Sequence, residues 1–169
     1  MEKRVAEAQN ALWQVQLPIK EFLLVRVLPL EWKPMDLYLI REGDVVFYVG
    51  QSACAFRRVW QHILAGPHGH SLVGRFVIVN WPRSAAWTVE LLRSDSPRFQ
   101  ETGFDRDLAE QLLIEAYTPC LNIALNRQAV PLPEGCLPAN APLLPFHRLK
   151  RMLRESGYLQ RAAGNDLEW

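Results

Sequence analysis

Two tyrosines, an arginine, a histidine and a glutamate have the types and spacing to do chemistry together. They are Tyr38, Tyr48, Arg58, His62 and Glu110. Phosphodiester hydrolysis needs a positioned water, a cation for the charge that develops on the phosphate, and a metal ion at the leaving oxygen. Phenols can hold a water or a phosphate oxygen, and a lone carboxylate with open water positions suits Mg²⁺. The set is therefore sufficient for this reaction.

A β-hairpin is predicted to place the two phenols side by side. Residues 36–41 and 45–50 are strand-like runs on either side of a short loop that contains Gly43. Side chains alternate across a strand, so the loop length decides which residues share a face. A three-residue loop puts Tyr38 directly opposite Tyr48, whereas a two-residue loop puts them on opposite faces. Gly43 offers the positive φ that a three-residue loop commonly needs.

The helix predicted after the hairpin carries the arginine and the histidine. It runs from about residue 53 to residue 65, with Ser52 as a good N-cap candidate. Arg58 and His62 stand at i and i+4, so they lie on one face of this helix. Residues 105–117 have the strongest helical pattern in the chain, with acidic residues in the first turns that favour the helix dipole.

The order and spacing of these residues resemble the motifs of the GIY-YIG nuclease family. Asp36-Leu-Tyr38 and Tyr48-Val-Gly50 are similar to the two half-motifs that name the family. In that family an arginine follows ten residues after the second tyrosine, where this chain has Arg58. Several members, notably the restriction-type ones, have a histidine one helical turn later, and His62 matches it.

The last motif of the family begins at a metal-binding glutamate and runs through a proline to an asparagine. Glu110, Pro119 and Asn122 match it in order and spacing, and this spacing selects Glu110 rather than Glu115. The resemblance covers roughly residues 36 to 122. Taken singly, each residue has a structural explanation such as cross-strand packing or a surface charge. The joint pattern favours the family.

The chain departs from the family pattern at four positions. Asp36 and Leu37 replace the Gly-Ile of the first half-motif, and Val49 replaces an isoleucine. These positions serve the backbone and packing. Gln51 stands where many relatives carry a lysine, so a cationic role at this position is lost or moved.

The resemblance implies an α+β fold: a small three-stranded antiparallel sheet flanked by helices, with an N-terminal extension and a C-terminal helical tail. It implies a DNA endonuclease with a one-metal mechanism that uses Mg²⁺ or Mn²⁺. Glu110 would bind the ion, Tyr38 would activate or orient the water, and Arg58 would stabilise the transition state. The implied catalytic set is Tyr38, Tyr48, Arg58, His62, Glu110 and Asn122. The alternative is a catalytically inactive or partner-dependent nucleic-acid-binding module on the same fold.

Outside these motifs the pattern is weaker. Residues 2–16 predict a helix, and residues 87–92 a strand. Residues 20–28 fit a strand or a helix, and so do residues 71–80. We see an N-terminal extension (1–35), a catalytic domain (36–127), a Pro-rich connector (128–145) and a basic helical tail (146–169). The connector holds five of the twelve prolines.

The tail contains a predicted basic amphipathic helix over residues 146–163. This helix either binds DNA through its cations or packs on the core through its leucines. Two further histidines, in the loop 66–70, are too few for a zinc site and are interpreted as loop residues that touch substrate. The candidate nucleic-acid contacts are Gln51, Arg57, His68, His70, Arg148, Lys150, Arg151 and Arg154.

Composition constrains the remaining possibilities. The net charge of +1 gives no global electrostatic attraction to nucleic acid, which also leaves room for an interaction protein. The three cysteines form no Cys-x-x-Cys pair, which argues against a disulfide framework or structural zinc and suits a cytoplasmic location. No stretch is predicted to span a membrane. The short length favours a homodimer, a targeting partner protein or low specificity on single- or double-stranded DNA.

Overall fold

The computed structural model describes residues 12–123, 126, 130–145, 147–148 and 151, and the fold is given for these. Four strands and four α-helices with defined bounds follow one another in the described part of the chain. They are β1 (Gln14–Pro18), α1 (Ile19–Phe22), β2 (Leu37–Glu42), β3 (Val45–Gln51), α2 (Ala55–Ala65), α3 (Leu72–Val79), β4 (Thr88–Leu92) and α4 (Arg106–Tyr117). Short 3₁₀ turns lie between them at Leu30–Trp32, Gly66–His68, Arg83–Ala86 and Pro97–Thr102.

The sheet has four strands in the order β1-β4-β2-β3, with every neighbouring pair antiparallel. The α+β class is confirmed, and the expected number of three strands is wrong. The extra strand is β1, which pairs with β4 from Gln14 opposite Leu92 to Pro18 opposite Thr88. The helix predicted over residues 2–16 is therefore wrong at residues 14–16, and residues 1–11 lie outside the described part. Val15 and Leu17 both pack against the core, a two-residue period that suits a strand.

The hairpin of β2 and β3 differs in register from the prediction. Its loop has two residues, because Glu42 pairs with Val45, and Gly43 adopts the expected positive φ of 57°. Tyr38 faces Gly50 rather than Tyr48. A β-bulge then returns the two tyrosines to the same face of the sheet, which the two-residue loop alone would have prevented.

The bulge consists of one extra residue in β3, at Phe47. Ile40 pairs with Tyr48 and Arg41 pairs with Val46, so Phe47 has no partner of its own. Phe47 and Tyr48 consequently both pack on the same face of the sheet as Tyr38. The predicted shared face of the two tyrosines is confirmed, with a bulge as its cause instead of a three-residue loop.

The two faces of the sheet carry separate hydrophobic cores. The larger core contains Tyr38, Ile40 and Phe47 from the sheet and residues of α1, α2 and α3. The smaller core contains Leu37, Leu39 and Val49 with Ala109, Leu113 and Ile114 of α4. The helices around the sheet thus bring α2 and α4 to opposite faces of the β2–β3 hairpin.

The predicted helices are confirmed with shifted ends. α4 begins after Asp105, whose side chain accepts a hydrogen bond from the Leu108 amide as an N-cap. α2 begins two residues later than predicted, because Ser52 accepts a hydrogen bond from the Cys54 amide at 3.3 Å and makes a turn ahead of the helix. The prediction of Ser52 as the N-cap is therefore wrong. The two undecided segments contain helices, the four-residue α1 and the eight-residue α3.

Helices α2 and α3 approach each other closely at two glycines. A Cβ on Gly74 of α3 would overlap the carbonyl of His62 in α2, and a Cβ on Gly66 would overlap the backbone of Gly74. Only glycine allows this backbone contact. The contact fixes the position of His62 against the first turn of α3.

The outer edge of β3 is closed by the segment after α4. The Leu121 amide donates to the Phe47 carbonyl at 2.9 Å. The Asn122 side chain then acts as a further strand residue: its Oδ1 accepts from the Val49 amide at 2.9 Å and its Nδ2 donates to the Val49 carbonyl at 2.7 Å. The edge groups of Val49 are satisfied by this amide.

The Pro-rich segment packs on the body of the protein over its described residues. Ala139 is buried in the larger core. Arg75 donates to the carbonyls of Ala139 and Ala141 at 2.7 and 3.1 Å, and Asn80 bonds both backbone groups of Leu137. In the described part of the chain, no helix has the length and apolar character needed to cross a membrane.

Replacing Asn122 should destabilise the fold. Asn122→Ala leaves the buried amide and carbonyl of Val49 without partners, so we expect the free energy of unfolding to fall by about 2–4 kcal/mol. Urea denaturation measures the change. Asn140→Ala, which removes an exposed side chain of the same type, is the matched control and should change stability by less than about 0.5 kcal/mol. Equal stability of the two variants would contradict this account of the β3 edge.

Candidate active site

A cavity of about 510 Å³ lies beside β3 and brings most of the candidate residues together. Its walls come from β3, α2, the first residues of α3, α4 and the segment after α4. The lining residues are Tyr48, Arg58, Gln61, His62, Ala65, His70, Ser71, Leu72, Val73, Glu110, Leu121, Asn122 and Ile123. Five of the six candidate catalytic residues are among them, and Tyr38 lies behind the wall.

The two tyrosines have different environments. Tyr38 is 1% exposed and its ring lies over Gly50, where a Cβ would overlap the phenol. This explains the glycine at that position. Tyr48 is partly exposed and lines the cavity, with its ring centroid 6.0 Å from that of Tyr38. Tyr48 is thus the phenol that a ligand in the cavity meets first.

A chain of hydrogen bonds runs from the buried Tyr38 to His62 and Ser71 in the cavity wall. The Tyr38 hydroxyl lies 2.9 Å from Nε2 of His62, and Nδ1 of His62 lies 2.7 Å from Oγ of Ser71. Ser71 Oγ also accepts a hydrogen bond from the Gly74 amide at 3.0 Å, as the N-cap of α3. The imidazole is therefore held at both ring nitrogens.

Burial sets the protonation of this chain. It raises the pKa of Tyr38, an effect that Tyr48 increases and Arg58 partly offsets. Burial also raises the pKa of Tyr48, with a further rise from Glu110. The pKa of His62 falls to about 4, first because of burial and then because of the nearby Arg58 cation. At neutral pH both phenols are protonated and the imidazole is neutral.

Arg58 supplies a cation at the cavity. Its side chain is exposed, and Nη1 donates to the Gln61 amide oxygen at 3.4 Å. Among the described residues no carboxylate forms an ion pair with Arg58. A guanidinium without a carboxylate partner is well suited to bind an anion.

Glu110 supplies a half-buried carboxylate on the other side of the cavity. Gln51 donates to its Oε2 at 3.0 Å and also donates to Asp107, while Arg106 donates to the Gln51 oxygen. Burial raises the pKa of Glu110; Gln51 lowers it and Asp107 raises it again. Oε1 accepts no hydrogen bond from any described residue, so one oxygen remains for a ligand.

These donors fit a hydrated Mg²⁺ or Mn²⁺ ion at Glu110. In the described residues no group of three or more His, Cys, Asp or Glu side chains could hold a metal. Mg²⁺ is commonly bound through one or two carboxylates while it keeps several waters. One open carboxylate oxygen at the cavity meets that requirement.

The structure separates the candidate nucleic-acid contacts into groups. His70 lines the cavity, with its ring stacked on that of His68 at 6.3 Å. Arg57, Arg148 and Arg151 are exposed and lie outside the cavity lining. The Gln51 amide is engaged by α4, as described above. Lys150, Arg154 and most of the predicted tail helix lie outside the described residues.

Sequence reasoning missed Ser71. Its position before an apolar run is a typical N-cap signal, but residues 71–80 fitted a strand as well as a helix. A helical interpretation of that segment would have identified Ser71 as its cap. The contact with His62 has no signal in the sequence, since it depends on the close approach of α2 and α3.

The depressed pKa of His62 predicts a loss of stability in acid. The unfolded chain binds a proton at this histidine below about pH 6.5, whereas the folded chain does so only below about pH 4. The contribution of His62 to the free energy of unfolding is therefore complete above pH 6.5. It falls as the pH drops from 6.5 to 4, by at most about 3 kcal/mol. Urea denaturation of the parent and of His62→Gln across this range measures the difference. Parallel pH profiles of the two proteins would refute it.

The chain was also compared with known proteins. No family model, no curated protein and no solved structure matches it. The interpretation of the site therefore depends on the residues that the fold brings to the cavity, on their distances and on their protonation.

Proposed function

We propose that this protein is a metal-dependent endonuclease that hydrolyses DNA phosphodiester bonds. The observation that carries the proposal is the single cavity that contains the Tyr48 phenol, the Arg58 guanidinium and the Glu110 carboxylate. A phosphodiester is an anion with oxygens that accept hydrogen bonds, and this cavity offers a cation, hydroxyl donors and a place for a divalent ion. The spacing of the same residues along the chain supports the proposal independently.

Each residue has a role that follows from its environment. Glu110 would hold the divalent ion through its free oxygen, and that ion, when bound, supplies charge stabilisation at the leaving oxygen. Arg58 would bind the scissile phosphate and stabilise the charge that develops there. Tyr48, at the cavity surface, would orient a water or a phosphate oxygen. His62, which also lines the cavity, and the buried Tyr38 behind it would support Tyr48.

DNA is the proposed substrate, and the cavity has a size suited to it. A volume of about 510 Å³ is within the range of small-molecule sites and admits one nucleotide. Arg57, exposed on α2 one residue before the cavity-lining Arg58, would contact a neighbouring phosphate. Cutting of labelled single-stranded or duplex DNA identifies the form of the substrate.

Loss of the Glu110 carboxylate should abolish cutting. With Mg²⁺ or Mn²⁺ the parent protein is expected to cleave DNA and to stop when a chelator is added. Glu110→Gln keeps the shape but loses the charge that holds the ion, so we expect a fall in rate of at least about 100-fold. Gel assays of labelled DNA measure the rate. Glu115→Gln is the matched control, because Glu115 is exposed on the same helix and its loss should leave the rate unchanged.

Two outcomes would contradict the proposal. Cutting that survives the chelator, or an equal effect of both glutamine variants, would remove Glu110 from metal binding. Absence of cutting in the parent together with tight DNA binding would favour the alternative, a nucleic-acid-binding module without its own catalysis.

Arg58 should act on the chemical step more than on binding. Arg58→Ala removes the cation that meets the charge developing on the phosphate, so we expect kcat to fall by about 100- to 1000-fold. Arg57→Ala is the comparison: it removes a guanidinium one residue away, outside the cavity lining, and should raise KM with little change in kcat. Single-turnover cleavage at saturating DNA separates the two effects. A kcat loss of the same size in both variants would show that Arg58 has no special role.

A further inference from the structure

Ser71 is the residue whose hydroxyl contacts Nδ1 of the His62 ring, on the side of the ring opposite Tyr38. It is 8% exposed and lies at the start of α3, where its Oγ accepts the Gly74 amide. The same oxygen lies 2.7 Å from Nδ1 of His62. A serine hydroxyl has one proton to donate and two lone pairs to accept with. The helix cap uses one lone pair, which leaves the proton and one lone pair to be placed.

The proton of Ser71 has one acceptor within reach. Among the described residues, Oγ makes hydrogen bonds with the Gly74 amide and with Nδ1 of His62 alone. The Gly74 amide is itself a donor and cannot accept the proton. A buried hydroxyl without an acceptor is unfavourable. Ser71 lies in the cavity wall, and the arrangement that satisfies its hydroxyl within the protein has the O–H donating to Nδ1 of His62.

This arrangement determines the tautomer of the histidine. A neutral imidazole carries one proton, and its second nitrogen accepts. If Nδ1 accepts from Ser71, the proton is on Nε2, and Nε2–H donates to the Tyr38 oxygen at 2.9 Å. In the opposite arrangement Tyr38 donates to Nε2 and Nδ1–H donates to Ser71, so that the Ser71 proton is left without a partner among the described residues.

The tyrosine hydroxyls also fit the arrangement in which Ser71 donates to Nδ1 of His62. With Nε2–H donating to its oxygen, Tyr38 keeps its own proton for another acceptor. A neighbouring phenol is Tyr48, whose ring centroid lies 6.0 Å from that of Tyr38 and which lines the cavity.

We propose that Ser71 is a positioning residue, whose hydrogen bond to Nδ1 holds His62 in the Nε2–H tautomer and so directs the Tyr38 hydroxyl toward Tyr48 and the cavity. The same Ser71 oxygen caps the helix and forms the hydrogen bond with the histidine. The part of this inference that concerns catalysis rests on the proposed nuclease function. The part that concerns the tautomer does not.

Nitrogen-15 NMR of the histidine rings tests the tautomer directly. Long-range proton–nitrogen spectra at pH 7 show which ring nitrogen carries the proton, and His62→Gln identifies the signals of His62. We expect the parent to carry the proton on Nε2. Ser71→Asp keeps a cap acceptor for Gly74 but offers only acceptors to Nδ1, so Nδ1 should now carry a proton. Ser71→Thr keeps the hydroxyl and should restore the parent spectrum.

A matched control removes the effect of losing a helix cap. Ser71→Ala removes both the cap and the donor, and we expect it to lose the preference for Nε2–H. Asp105→Ala removes the side-chain cap of α4 and should lower stability to a similar degree while the His62 spectrum stays that of the parent. A proton on Nδ1 in the parent, or a parent-like spectrum in Ser71→Ala, would overturn the proposal.

Cleavage rates test the catalytic part separately. We expect Ser71→Ala and Ser71→Asp to lower kcat by about 10- to 100-fold, a loss typical of partners that orient an active-site histidine, and Ser71→Thr to restore most of it. An unchanged kcat together with a changed tautomer would overturn the positioning role. If the parent cuts no DNA, the proposed function fails, and the spectra still decide the tautomer.

Discussion

The site depends on which face of the sheet each side chain of β3 occupies. A two-residue loop joins β2 to β3, and on its own it would turn the Tyr48 phenol away from Tyr38. One extra residue at Phe47 reverses this orientation. Phe47 and Tyr48 then both pack against the same core. The cavity, the contact of His62 with both tyrosine rings and the burial that shifts their pKa values all follow from this local change.

Two glycines add to the effect of the bulge, because they allow polar groups to pack in close contact. Gly50 leaves room for the Tyr38 ring, and Gly74 lets α3 reach the backbone of α2 at His62. Closely packed surroundings of this kind keep a side chain in one rotamer. The hydrogen bonds of Tyr38 and His62 thus have fixed partners, while Arg58 and Glu110 at the cavity remain open to a ligand.

Local signals in the sequence predicted the parts of the fold that have strong local causes. α4 has an acidic cap and a long amphipathic pattern, and the hairpin has two aromatic, β-branched runs around a glycine. β1 was missed because residues 2–16 have helix-forming composition, and only the open edge of β4 makes residues 14–18 a strand. The bulge was missed because two successive aromatic residues, Phe47 and Tyr48, fit either register. Ser71 was missed because its partner comes from another helix.

The cap of α3 links the completion of the fold to the order of the site. The same Ser71 oxygen holds the first turn of α3 and one nitrogen of His62, and Gly74 in that turn rests on the His62 carbonyl. A chain in which α3 has not yet formed has neither the ring contact nor the backbone contact that holds this histidine. The imidazole is therefore ordered only once α3 has formed, and a chain without α3 would expose a histidine of ordinary basicity in place of a buried neutral one.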